Sequence, residues 1–353
     1  MLHSDEIEYV QYDEYFNRAV KRGKTILATG DKPRFALLYT ANSDRVEPGM
    51  NKMGDGKIRL TVDGKEMWLD LLPKIKTIFS PSSTEYICNS SLFPNLTIRL
   101  LVSQATDWGA VIRLDFRNSS GSPIQLKADL IYGGIRKCGR TFSAAYFSPN
   151  DKEDLSFNNV DITDERARLS DKNIPGDIFI ISRPSVKPVK VGKYVLFSSP
   201  LTIAVGEEKQ VFYIMGLSLQ QKEGLFEKLK EYDPSSLIQE SKKYYRDILE
   251  RYDISTPSNL LNNGFKTALI NFDNMYADPA WLEGINWWSA YWTNNFQISA
   301  AIALQQNERA KKALSFFNST EYGPAPVMTA SGNADNQSKS GEDGLPYYIY
   351  NLV

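Results

Sequence analysis

Histidine is almost missing from this 353-residue chain; the one present is His3, at a terminus expected to be frayed. A Ser-His-Asp or Cys-His arrangement, a His-bound zinc and a histidine-assisted hydride transfer all need an imidazole inside a folded site. Chemistry here therefore has to run on carboxylates, tyrosine or lysine. Cysteine is nearly as scarce, and Cys88 and Cys138 can be two thiols or one bridge, which leaves the redox compartment open. Neither sign of charge dominates: 41 Lys and Arg face 42 Asp and Glu, and no basic run supplies a footprint for nucleic acid. No run of about 18 apolar residues exists to cross a membrane. The N-terminal stretch MLHSDEIEYVQYDEYF is acidic and lacks the apolar centre of a signal peptide. The chain is expected in the cytoplasm, or in the periplasm or outside the cell if a signal was removed ahead of Met1. The Asn-x-Ser/Thr triplets at Asn95 and Asn118 read as chance matches. Residues 49–56, GMNKMGDG, have glycines but no following Lys-Ser/Thr, so they do not cradle phosphate. No cofactor and no metal site is expected.

With 42% hydrophobic and 24% charged residues, the composition is that of an ordinary globular protein, and the length favours two domains. From about Lys24 to Leu217 the text reads as strands, short apolar or alternating runs between Gly, Pro, Asn, Asp and Ser clusters. Ile98, Leu100 and Val102 alternate with other neighbours; Ile112, Leu114 and Phe116 do so around Arg113 and Asp115. Further strands are expected at 35–39, 58–62, 67–71, 124–132, 177–181, 194–197 and 211–215. Many strands without intervening helices predict a large antiparallel sandwich over residues 1–217. Residues 151–176 are polar and acidic without the ligand order of a calcium loop, and are expected to be a solvated insertion.

At Ser218 the hydrophobic period changes from two to 3.6. A linker over 218–255 is expected to hold a short helix at 220–231. A second helix starts at Asp233-Pro234, with Leu237, Tyr244, Ile248 and Tyr252 as its apolar stripe. Thr256-Pro257 repeats the start signal for a helix that turns Leu261, Phe265, Ala268, Leu269, Phe272 and Tyr276 inward and ends near Asp278-Pro279. Another helix runs to about Leu304, and Asn307 caps one with Ala310, Ala313, Leu314 and Phe317 on one side. These helices open an all-helical domain over 256–353. Residues 318–345 lack periodicity, as functional or disordered loops do, and carry Glu342 and Asp343. The chain then stops in YYIYNLV, too short to bury itself, which predicts either a longer parent protein or a second chain that completes the helical core.

The densest chemical signal is WLEGINWWSAYWTNNF, 281–296, which holds four of the six tryptophans. Indole faces stack on the C–H face of a pyranose, and amides bond its belt of hydroxyls. Trp287, Trp288, Trp292, Asn294 and Asn295 are thus candidate contacts to an oligo- or polysaccharide. The bland alternative is a core helix, since Trp288, Trp292 and Asn295 recur at helical spacing.

A sandwich, a linker helix pair and helical hairpins opening on an aromatic motif together resemble the six-hairpin, or (α/α)6-barrel, glycosidases. That superfamily includes glucoamylase-like hydrolases and disaccharide phosphorylases. Its second barrel helix often opens on a Trp-x-Arg-Asp signature; here Trp292 matches the Trp, while Asn294 and Asn295 replace the charged pair. FNRA at 16–19 and TGDKPRFAL at 29–37 resemble an uncharacterised bacterial sandwich domain found ahead of such barrels. The fold so implied is multidomain β + α: an N-terminal antiparallel β-sandwich, a helical linker, then the first helices of an (α/α) barrel.

What the resemblance implies chemically is inverting glycoside hydrolysis, in which one carboxylic acid protonates the leaving oxygen while a second carboxylate activates water from the opposite face. In these barrels both usually stand on later helix-joining loops, so they can lie outside this chain. Within it, Glu342 and Asp343 are the candidates, with Glu283 behind them. A non-catalytic glycan-binding or structural protein is the alternative that the two amides favour. A disaccharide phosphorylase would need a phosphate pocket that this portion does not suggest.

Overall fold

The computed structural model describes residues 18–22, 25–40, 50–138, 158–172, 174–218, 224–252, 254–282, 291–317, 326–328 and 334–339. Its front part is two antiparallel sheets. The first contains β1 (Arg18–Arg22), β2 (Thr25–Thr29), β3 (Arg34–Thr40), β4 (Met50–Val62), β5 (Lys65–Trp68), β10 (Ile124–Cys138), β14 (Val189–Val191) and β15 (Tyr194–Ile203). They lie in the order β1-β2-β3-β4-β10-β15-β14, and β5 also pairs with β4. The second contains β6 (Lys74–Ser80), β7 (Ser83–Asn89), β8 (Leu96–Ala105), β9 (Gly109–Asn118), β11 (Asn158–Ile162), β12 (Arg166–Asp171), β13 (Ile174–Arg183) and β16 (Glu208–Ser218), ordered β11-β12-β13-β16-β9-β8-β7-β6.

Alternation along the strands decides what each face does. On β9, Ile112, Leu114 and Phe116 enter the core between the sheets, where they meet Ile98 and Leu100 of β8 and Leu130, Tyr132 and Phe197 of the first sheet. The opposite face of the second sheet is also apolar where Leu101, Val111, Phe179, Ile181 and Ile214 stand. Two helices cover it, α1 (Gly224–Glu231) with Phe226 and Leu229, and α2 (Pro234–Arg251) with Leu237 and Ile238. The layers are therefore sheet, sheet, helix.

The stretches that carry the sequence resemblance join the two sheets. Arg18 donates to the carbonyls of Ser83 and Pro81 at 2.8 and 3.0 Å. The Thr29 and Thr84 hydroxyls are 2.8 Å apart, Tyr86 donates to the Gly30 carbonyl at 2.8 Å, and Thr77 donates to that of Asp31 at 2.8 Å. These residue types are there to tie β1, β2 and the β2–β3 turn to the far sheet.

Three further helices follow: α3 (Asn259–Asn274), α4 (Tyr291–Ala303) and α5 (Asn307–Phe317). Between α3 and α4 lies a small hairpin, β17 (Tyr276–Ala277) with β18 (Ala280–Trp281). The helix start at Asp233 holds, whereas Asn307 begins its helix one residue after the cap position, which Gln306 occupies. The Asp233 carboxylate accepts from the Ser236 N–H at 2.8 Å.

Several expectations are corrected. Residues 151–176 are not all solvated insertion, because β11 and β12 extend the second sheet, with Val160, Ala167 and Leu169 turned into the core. Residues 50–56 belong to β4. The buried stripe of α2 is Leu237, Ile238, Ser241, Tyr245 and Leu249, one position from the expected one beyond Leu237, since Leu237 and Ile238 cover the second sheet while Tyr245 and Leu249 pack with Val20, Leu269 and Ile270. Ser258 rather than Thr256 caps α3, and Leu261 is largely exposed. Within 318–345, β19 (Pro326–Met328) pairs with β20 (Ala334–Lys339). Cys88 is a free, buried thiol, and burial pushes it up to about 12. Among the described residues no helix is long and apolar enough to cross a membrane.

Close approach of β9 to β16 rests on Gly109, where a Cβ would stand 1.9 Å from the Met215 carbonyl oxygen. Gly109→Ala is expected to destabilise the protein by about 1–3 kcal/mol through overpacking against backbone. Equilibrium urea unfolding checks this.

Candidate functional site

The aromatic segment starts inside a core. Trp281 is fully buried between α3 and α5, its ring stacked on Phe272 at 4.9 Å and edge-on to Tyr276 at 4.9 Å, with Nε1 donating to the Phe272 carbonyl at 3.1 Å. Around it Ala280, Leu282, Ile298, Ala301, Ala310, Ala313 and Phe317 close a small apolar cluster. The alanines of α4 and α5 let the two helices approach the indole.

Asn294, in the first turn of α4, is completely buried. Its Oδ1 accepts from the Trp281 N–H and its Nδ2 donates to the Trp281 carbonyl, both at 2.9 Å. The amide thus acts as a peptide group, pairing with β18 where the hairpin has no further strand. Asn295 is 5% exposed and its Oδ1 has no hydrogen-bond partner among the described residues. The backbone of Trp292 lies in α4, while its side chain is outside the description. Glu283, Trp287, Trp288, Glu342 and Asp343 lie outside the described residues. Of the candidate residues, Asn294 and Asn295 are thus described with their side chains, both buried in the first two turns of α4.

Next to this cluster stands a polar hub that the sequence reading missed. Asp273, on α3, accepts from the Tyr244 hydroxyl of α2 at 2.6 Å and from Arg309 Nη1 of α5 at 2.9 Å. Arg309 also donates to Gln306 Oε1 and lies 4.4 Å above the Tyr276 ring, while Arg22 of β1 lies 4.0 Å above the Tyr244 ring. Burial, the Asp273 charge and its hydrogen bond together push the Tyr244 phenol up to about 12. Lys21 of β1 is 2% exposed and donates to the Tyr276 carbonyl at 3.1 Å. Burial lowers it to about 8 against the opposing pull of Asp273. One signal in the sequence could have found this hub: Asp273 is a carboxylate in the apolar run ALINFDNMY. In front of it a cleft of about 600 Å³ opens between α2, α3 and the α4–α5 turn.

No protein-family model matches the chain, and no curated protein does. Among solved structures, a provisionally assigned kojibiose phosphorylase from the human microbiome superposes over 94% of this chain and 53% of its own, with TM-score 0.61 at 14% identity. The chain thus spans about half the length of that protein, and the likeness shows a shared fold across both sandwich and helices. A galactose mutarotase-like protein from Lactobacillus casei matches over 57% of this chain and 100% of its own, at TM-score 0.37 and 11% identity.

Asn294→Ala is expected to lose about 3 kcal/mol, because the Trp281 N–H and carbonyl would be left unpaired in the core. Thermal unfolding with intrinsic fluorescence checks it. A second expectation concerns pH. Folded Lys21 releases its proton near pH 8, the unfolded residue near 10.5, so between the two the unfolded chain binds more protons and stability rises with pH. The gain is on the order of 3 kcal/mol and should be absent from Lys21→Met, as measured by urea unfolding at pH 7.5 and 10.5.

Proposed function

We propose that this chain is the N-terminal part of a carbohydrate-active enzyme of the six-hairpin glycosidase superfamily, acting on an oligo- or polysaccharide. Residues 1–217 are the sandwich, 218–255 the helical linker, and 256–353 the opening of an (α/α) barrel. The observation that carries the reading is the superposition at TM-score 0.61 over 94% of the chain, which takes in the sandwich and the helices together. The aromatic segment supports it by its composition: Trp287, Trp288 and Trp292 supply stacking faces for a sugar ring, and Asn295 supplies a buried amide whose Oδ1 has no partner among the described residues. Asn294 enters the proposal as the residue that fixes the segment's base, through its paired bonds to Trp281.

The reaction in this reading is inverting hydrolysis. A carboxylic acid delivers its proton to the glycosidic oxygen as the anomeric C–O bond breaks, and a carboxylate roughly 6.5–9.5 Å away takes a proton from the water that attacks the opposite face. Glu342 and Asp343 are the candidates within this chain for a part in this chemistry, and the remaining group or groups would stand on the later part of the parent protein. Phosphorolysis is the second reading, and the likeness to a phosphorylase favours it. In it phosphate replaces water as the attacking group, and the product is a sugar 1-phosphate.

Incubation of the protein with kojibiose, maltose and cellooligosaccharides, with and without phosphate, tests both readings. Free sugar formed without phosphate, and reduced at least about 1,000-fold in Glu342→Gln or Asp343→Asn, is the expected result. Phosphate-dependent sugar 1-phosphate would replace hydrolysis by phosphorolysis. Binding without turnover would make the protein a glycan-binding one.

A further inference from the structure

Beside β1 lies a second pocket, of about 230 Å³, between the β6–β7 hairpin and the last turns of α2. Ile78, Pro81, Leu101 and Leu249 give it an apolar floor with room for one aromatic side chain. Glu85 stands on the sheet side, and Lys242 is exposed on the helix side. The neighbouring Lys243 is paired with Asp247 at 2.6 Å, whereas Lys242 pairs with no carboxylate among the described residues.

The chain enters the described structure at the edge of this pocket. Arg18, the first residue of β1, donates to the carbonyls of Ser83 and Pro81, both of which line it. Val20 shares an apolar cluster with Tyr245 and Leu249, which line it from α2. In an extended chain side chains two apart share a face, so Phe16 and Glu14 continue the face of Arg18 and Val20 backwards. At about 3.3 Å per residue they stand about 7 and 13 Å from Arg18 along the chain, within reach of the pocket. Residues 1–17, which lie outside the described residues, hold five carboxylates and no Lys or Arg. Their charge thus complements Lys242. We propose that this pocket is the docking site of the chain's own N-terminal segment, with the Phe16 ring on the apolar floor and the Glu14 carboxylate paired with Lys242. Docked in this way, the segment fastens the linker helix α2 to the β6–β7 hairpin, at a place separate from any sugar site.

Zero-length carbodiimide cross-linking of the full chain, read by peptide mass spectrometry, tests this. The Lys312–Asp278 pair, 3.0 Å apart, serves as the internal control. A Lys242–Glu14 amide in the monomer-sized product is expected, reduced at least fivefold in Phe16→Ala. Deuterium uptake by residues 12–17 should be at least tenfold faster in Phe16→Ala and Lys242→Glu than in the wild type, with circular dichroism unchanged. The charge-exchanged variant Glu14→Lys with Lys242→Glu should regain the slow uptake. The inference is overturned if the control link forms without the Lys242–Glu14 link, or if Phe16→Ala changes neither link nor uptake. A link confined to a dimer-sized product overturns it as well, and gives the pocket to the segment of another copy.

Discussion

The helical part of the molecule depends on one side chain that behaves as backbone. Asn294 spends both ends of its amide on the peptide of Trp281, and in doing so fastens the first turn of α4 to a hairpin 13 residues earlier. Everything around that contact is arranged to keep it dry: the indole fills the space between α3 and α5, and small alanines bring the helices up to it. In a water-poor core a paired amide costs little and an unpaired one costs much.

A second constraint joins the helices to the sandwich. Lys21 and Arg22, neighbours on edge strand β1, reach Tyr276 and Tyr244, while Asp273 collects Tyr244 and Arg309. One strand, the linker helix and two helices of the hairpin region thus share a single buried charge network. Such a network is strong only while complete, since removing one member leaves the others desolvated and unpaired. It fixes how the helical layer meets the sheets, and so sets the walls of the cleft beside it.

How much of this could be read in advance follows from where each residue's partner lies. The alternation of Ile112, Leu114 and Phe116 was legible because the core between the sheets imposes a period of two on any strand that lines it. β11 and β12 were not, because Asp161, Arg166 and Arg168 give the hairpin the look of a solvated loop while Val160, Ala167 and Leu169 face inward. Along α2, Tyr245 and Leu249 pack with Val20 of β1 and with Leu269 and Ile270 of α3, whereas Tyr244 and Ile248 line the cleft; a helix with two apolar sides does not reveal which one is covered. Asn294 read as a sugar contact because its type allows it, and its pairing with the Trp281 backbone is one that no sequence pattern names. The hub at Asp273 and the cleft beside it exist only through tertiary juxtaposition.

The central claim is that the aromatic segment serves a saccharide. Titration of intrinsic tryptophan emission with oligosaccharides of increasing length measures it most directly, because Trp287, Trp288 and Trp292 make up half of the six indoles. A saturable change in emission that is lost or reduced by at least half in the Trp287→Phe, Trp288→Phe double variant, with the fold intact by circular dichroism, is the expected result. Emission that no saccharide alters, or a change undiminished in the double variant, would contradict the claim and return the segment to a purely structural role.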